Sequence, residues 1–186
     1  MIGRTIADIA PGETAHITRV VQSHDVGHFV DAVGDHNPVH SDRAYASTTT
    51  FKEPIAPGIF TAGLISAVIG TRLPGPGAIY LSQSLKFMKP VKFGDTITAK
   101  VEVAEVIPER NRMRLVTVCT NQRGEDVLAG EAWVMPSRTA IVYEDTPSPS
   151  PWTALAYQPW RWATQALAFW GTLGFSMLEA VTERRS

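Results

Sequence analysis

Two side chains suited to proton transfer stand five residues apart in the run Gly34-Asp35-His36-Asn37-Pro38-Val39-His40. A carboxylate can act as a base, and an imidazole exchanges protons near neutral pH. A spacing of five does not align two residues on one face of a helix. Pro38 changes the geometry, because it drives Asn37 toward an extended conformation. The chain must bend there, so Asp35 and His40 can converge on one point. The Asn37 side chain can hydrogen-bond the turn backbone and hold its shape. The result is an acid–base dyad on a rigid loop. A plainer reading stands beside it: Asp-x-Asn-Pro runs are common in turns, and Asp35 could simply cap the next helix.

The flanking sequence supplies the elements that must hold this loop. Residues 13–22 alternate and are β-branched, which predicts a strand. From Ser23 the period changes: Val26, Phe29, Val30 and Val33 fall on one face of a short helix. Ser23 or Asp25 can cap its start, and Gly34 stands where it should stop. A short helical stretch is expected over about residues 41–47. Residues 58–71 are apolar almost all round, and a helix apolar on every side belongs inside something. Pro57 and Gly58 mark its start, and Leu-Pro-Gly-Pro-Gly at 73–77 marks its end. Four long strands are predicted after it, over residues 78–88, 96–107, 111–121 and 127–136. The turns between them predict an antiparallel meander. A sheet wrapped around the central helix is the economical way to bury it, so the expected class is α+β.

The composition narrows the function. With 186 residues, 44% hydrophobic and 19% charged, the chain reads as a soluble globular protein. A net charge of −1 gives no general attraction to nucleic acid or acidic lipid. The single cysteine, Cys119, excludes an internal disulfide, suggests a reducing compartment, and lies in an apolar alternating run as a buried thiol would. The N-terminus lacks the apolar core of a signal peptide, and no run is long enough to span a membrane, so a cytoplasmic location is expected. His16, His24 and His28 show no metal-ligand spacing, His36 reads as a solvent-facing loop residue, and no metal is expected. The glycines at 73–77 are turn residues rather than a phosphate loop.

From Val142 the composition shifts. The expected organisation is a first domain over 1–141, a Pro/Ser linker over 142–151, and a helical extension over 152–186 holding four of the five tryptophans. Pro159 should divide that extension, leaving a longer helix over roughly 159–182. Such a helix is too apolar to stand alone in water, so it either docks on protein or acts at an interface.

The stretch from Phe29 to Ala46, with its Gly-Asp-x-Asn-Pro-x-His core, resembles the signature of the MaoC-like hydratases. The similarity continues through PIAPGIFTAGLIS and LPGPGAIYLSQSLKFMKPVKFGDTITAKVEV, covering about residues 10–136. It resembles above all the short, single-hot-dog (R)-specific enoyl-CoA hydratases of polyhydroxyalkanoate synthesis. The resemblance implies a hot-dog fold, an antiparallel sheet around a central helix. It implies hydration of trans-2-enoyl-CoA to the (R)-3-hydroxyacyl thioester. Asp35 and His40 match the family's catalytic pair, Gly58 its thioester-binding glycine, and Ser66 its serine near the Asp. Asn37 would support the loop, and Ser66 would hydrogen-bond Asp35 or else bond back to its own helix. The Gly58 N–H, at a helix start, suits a developing enolate oxygen. One departure is Pro57, where relatives often carry His. No cofactor is implied, since CoA enters as part of the substrate. The implied assembly is a homodimer with sheets joined edge to edge. The acyl tunnel is expected near that interface, lined by several strands and by the helix run Ile59 to Ile69. The extension would take the protein to a polymer granule, a membrane face or a partner protein. Competing readings are a 3-hydroxyacyl dehydratase acting on acyl carrier protein, and a non-catalytic acyl-binding scaffold.

Overall fold

A computed structural model describes residues 1–144. Of the linker expected over 142–151, residues 142–144 are described, with Val142 in a strand paired with Ile2; the rest of it and the extension over 152–186 lie outside the described residues. Two strands and two helices come first: β1 (Ile2–Gly3), β2 (Thr14–Val20), α1 (Ser23–Val33) and α2 (Arg43–Thr48). The central helix α3 (Gly58–Thr71) follows. Then come β3 (Ile79–Phe87), β4 (Thr96–Ile107), β5 (Arg112–Thr120), β6 (Asp126–Met135) and β7 (Ile141–Val142). The five long strands form one antiparallel sheet in the order β2-β4-β5-β6-β3. This is the α+β hot-dog arrangement.

The sheet's inner face is set by alternation, regular through β5 and interrupted in β6, where the neighbours Val127 and Leu128 are both buried. Ile97, Ala99, Val101 and Val103 of β4 are buried, as are Met113, Leu115 and Cys119 of β5 and Ala132 and Val134 of β6. They pack in one core with Ile65, Val68 and Ile69 of α3. At roughly 1.5–3 kcal/mol for each fully buried aliphatic side chain, this contact is the main source of stability. It also fixes α3 against the sheet.

Three expectations need correction. The four long strands are not one meander. β4, β5 and β6 are, but β3 lies at the far edge beside β6, with Ile79 opposite Met135 and Phe87 opposite Leu128. The segment after β3 looks like a hairpin turn in sequence but is a crossover. It is pinned by Ala56 N–H to the Val91 carbonyl and by Gly94 N–H to the Val21 carbonyl, both 2.8 Å. Turn residues bend a chain without specifying which neighbour the next strand finds. Secondly, α1 has neither Ser23 nor Asp25 as its cap; Gln22 takes that place with no side-chain bond. Thirdly, α3 is not enclosed on every side by the described residues. Ile59, Gly63, Ser66 and Gly70 form an exposed stripe along it. Among the described residues the sheet covers this helix on one side only.

Candidate active site

The loop after α1 begins at Gly34, which adopts a left-handed conformation (φ 75°, ψ 18°) and donates its N–H to the Val30 carbonyl at 2.8 Å. Few other residues tolerate that conformation, so the helix stops there and delivers Asp35 to the surface. Asn37 is extended (φ −60°, ψ 121°), as a residue before proline should be. Its side chain accepts from the Val39 N–H at 3.3 Å, and residues Pro38–His40 close one 310 turn. Asp42 caps α2 through the Tyr45 N–H. Asp35 therefore caps nothing, and the plainer reading of it is removed.

The turn brings the dyad together. His40 Nε2 lies 3.6 Å from Asp35 Oδ2, with the imidazole 10% and the carboxylate 44% exposed. The other ring nitrogen, Nδ1, lies 2.8 Å from the Ile55 carbonyl oxygen. A carbonyl only accepts, so Nδ1 carries the hydrogen and Nε2 of the neutral ring presents its lone pair toward Asp35. Ile55 is itself held by its N–H to the Val39 carbonyl and by a bridge to Lys92. At 3.6 Å two acceptors do not bond each other, but a water capping the pair can donate to both.

Asp35 and His40 line a cavity of about 290 Å³ with Phe29, Val33, Pro57, Gly58 and Ile59. Gly58 opens α3, and its N–H donates to no acceptor among the described residues. Gly58 and Ile59 also line a second, larger cavity of about 430 Å³, bounded by Phe51, Ile55, Thr61, Phe87 and Leu128. A Cβ on Gly58 would fall 2.6 Å from the Phe87 ring, so that aromatic lies directly against the helix start.

The structure does not bring Ser66 to Asp35. Ser66 lies two turns along the exposed stripe of α3 and does not line the dyad cavity. No hydrogen bond joins the two within the protomer. The larger cavity touches the first turn of α3. Ile55 escaped the sequence reading because it contributes a backbone carbonyl, which carries no residue-type signal. Thr61 and Phe87 escaped because an apolar helix and a strand end look alike whether or not a cavity lies beside them.

A MaoC-like domain model matches residues 8–124. The chain belongs to the MaoC-like domain family. It is 51% identical over 127 residues to a 3-hydroxybutyryl-CoA dehydratase of Methylorubrum extorquens, covering 68% of this chain and 80% of the relative. It is 48% identical over 128 residues to an (R)-specific enoyl-CoA hydratase of Rhodospirillum rubrum, covering 69% and 88%. Among solved structures it resembles unliganded R-hydratase PhaJ1 of Pseudomonas aeruginosa. The TM-score is 0.72 at 42% identity, with 80% of this chain and 97% of that one covered.

In this MaoC-like domain Cys119 is fully buried, and burial pushes its thiol up to about 12. A thiol so placed is no nucleophile. His36 is exposed on the loop surface, as its position predicts. Among the described residues no three His, Cys, Asp or Glu side chains gather as metal ligands. No helix among them is long and apolar enough to cross a membrane.

Proposed function

We propose that the protein hydrates trans-2-enoyl-CoA to (R)-3-hydroxyacyl-CoA, with Asp35 and His40 as the acid–base pair. The observation that carries this reading is the convergence of His40 Nε2 on Asp35 at 3.6 Å, with Nδ1 tied to the Ile55 carbonyl. Water held by both groups attacks C3, and Asp35 accepts one of its protons. The C2=C3 electrons move onto the thioester oxygen. That oxygen is met by the Gly58 N–H, where the unsatisfied amides and dipole of a helix start favour negative charge. The enolate then collapses as the proton held by the pair returns to C2. One hydrogen of water ends on the new hydroxyl and the other on C2, so the reaction is redox-neutral and uses no cofactor. Asn37 holds the turn. The (R) assignment rests on the activities named for the relatives.

The edge of β3, unpaired among the described residues, supports a homodimer. Ile79, Leu81 and Phe87 are exposed along it, and an apolar edge strand invites pairing with a second copy. The biological role that fits is supply of (R)-3-hydroxyacyl-CoA for polyester synthesis, with residues 152–186 promoting association with a granule, lipid or partner protein. Truncation near Val142 should keep activity in solution and abolish that association. An insoluble or inactive product would favour a docked helix.

The decisive assay is the fall in enoyl absorbance with crotonyl-CoA, coupled to stereospecific dehydrogenases. Turnover with product refractory to an (S)-specific dehydrogenase is expected. A folded protein without turnover would overturn the reading, and complete oxidation by the (S)-specific enzyme would overturn the stereochemistry.

A further inference from the structure

We propose that the free edge of β2 takes up an extended acidic segment of a partner protein, which adds to the sheet as a further strand. β2 ends the sheet, and no strand among the described residues pairs with its outer side. Its pairing with β4 runs without a break from Thr14 opposite Glu102 to Val20 opposite Thr96. The Val21 N–H donates to the Asp95 carbonyl, and the Val21 carbonyl accepts from the Gly94 N–H, both at 2.8 Å. Hydrogen bonding alternates along an antiparallel pair. Ala15, Ile17 and Arg19 therefore bond inward to β4. The N–H and C=O groups of Thr14, His16, Thr18 and Val20 are left for the edge. An edge with neither proline nor bulge is a template for another strand. Strand addition of this kind draws affinity from main-chain bonds and specificity from alternate side chains.

The charge at this edge selects the occupant. A cavity of about 630 Å³ lies between β2 and α3, with Ile17, Leu64 and Ala67 among its walls. Its charged groups are Arg19 and Arg72, with His16 beside them, and no carboxylate lines it. The lysines and arginines in ion pairs among the described residues are Arg4, Lys89, Lys92, Lys100, Arg114 and Arg123. Arg19 and Arg72 are in none of them. Asp25 lines a neighbouring cavity with Arg19, but its carboxylate lies against His24 at 3.1 Å. A charge pointing inward at an edge discourages apolar strands and a second copy of the same edge. Guanidiniums without a carboxylate suit acidic side chains. Their separation fits one strand. Arg19 stands beside Leu64, with which it shares both cavities. Leu64 and Arg72 lie about 12 Å apart along the α3 axis, at roughly 1.5 Å per residue. In an extended chain, residues i and i+4 share a face about 13 Å apart. The matching segment carries acidic, apolar and acidic side chains at alternate positions, the apolar one over Ile17 and Ala67.

The probe is a capped heptapeptide, Thr-Glu-Thr-Val-Thr-Glu-Thr, titrated into the isotopically labelled full chain and followed by NMR. A counterpart with glutamine for glutamate controls for charge. Arg19→Ala and Arg72→Ala should each weaken the acidic peptide roughly twofold to fivefold, the range for one exposed ion pair, and leave the glutamine peptide unchanged. Thr18→Pro removes one outward N–H and spares the bonds to β4, since proline is accommodated at an edge strand where its N–H would face outward. It should weaken the acidic peptide about tenfold, the upper range for one lost hydrogen bond. Hydrogen exchange of the wild-type chain needs no variant. Bound acidic peptide should slow exchange at the amides of Thr14, His16, Thr18 and Val20 and leave those of Ile17 and Arg19 unchanged. Binding without that protection, or a glutamine peptide binding as tightly as the acidic one, would overturn the proposal. So would equal binding of a thymidine oligonucleotide of the same charge, which would mark a patch for polyanions at large. No binding of the acidic peptide at millimolar concentration would also overturn it, leaving Arg19 as a guard against strand pairing.

Discussion

The cavity around Asp35 and His40 is bounded mostly by one short stretch of chain, residues 29–40, closed by Pro57, Gly58 and Ile59. The larger cavity beyond Gly58 is bounded by segments far apart in sequence: 51–56, 58–61, 87–91 and 127–128. The first places two titratable groups on a turn whose shape is dictated by Gly34, Asn37 and Pro38. The second is an apolar space that exists only because α3 and the sheet meet there. Reactive chemistry is thus encoded locally, and room for the substrate is encoded globally. A consequence is that single substitutions should act very differently on the two sides.

The largest effect is expected on the dyad side. Asp35→Asn or His40→Ala should lower kcat by roughly 10²–10⁴ while the fold survives. Near-native turnover in both variants would remove the dyad from the mechanism and erase the contrast between the two cavities. At the junction, Gly58→Val should cut kcat/KM by about tenfold or more, because its side chain meets Phe87 and displaces the helix start from the thioester oxygen. Melting should change less than activity, since Phe87 is 52% exposed and its ring has room to move. Equal losses in melting and in kinetics would show a purely structural glycine.

The smallest effect belongs to the outer rim of the larger cavity. There Lys89 pairs with Glu125 at 2.6 Å. Hydrogen bonds from Asn121, Lys89 and Arg123 hold the Glu125 carboxyl down at about 2, from an ordinary value of 4.5. Because the folded value is the lower one, the folded state favours the carboxylate. The resulting stabilisation is complete above pH 4.5 and is lost as pH falls toward 2. Glu125→Gln should therefore lower Tm slightly above pH 4.5, with a difference that shrinks toward pH 2 and in high salt. A salt-independent gap persisting in acid would mean that Glu125 packs rather than pairs.

Much of this architecture is legible before any coordinates. The bounds of α1, α3 and β4 follow from period and punctuation, because hydrophobic spacing and glycine conformations act within a few residues. The dyad loop is equally local: proline and asparagine fix a turn that needs no distant partner. The alternation that buries Cys119 is also visible in its own strand.

Tertiary structure decided the rest. The placement of β3 beside β6 rather than β4 depends on which edge is free when the crossover over 88–95 is pinned to Ala56 and Val21. A turn sequence does not carry that information. The His40 tautomer depends on the Ile55 carbonyl, fifteen residues away and invisible to residue type. Ser66 shares the apolar helix with Thr61, yet one faces outward and the other is sealed against the sheet. An all-round apolar helix carries no stripe to tell those faces apart. What the sequence by itself determined was the chemistry of a short loop and the periods of its elements, since those arise from local sterics. What only the fold decided was which faces close on one another, because burial is a property of the surfaces that meet.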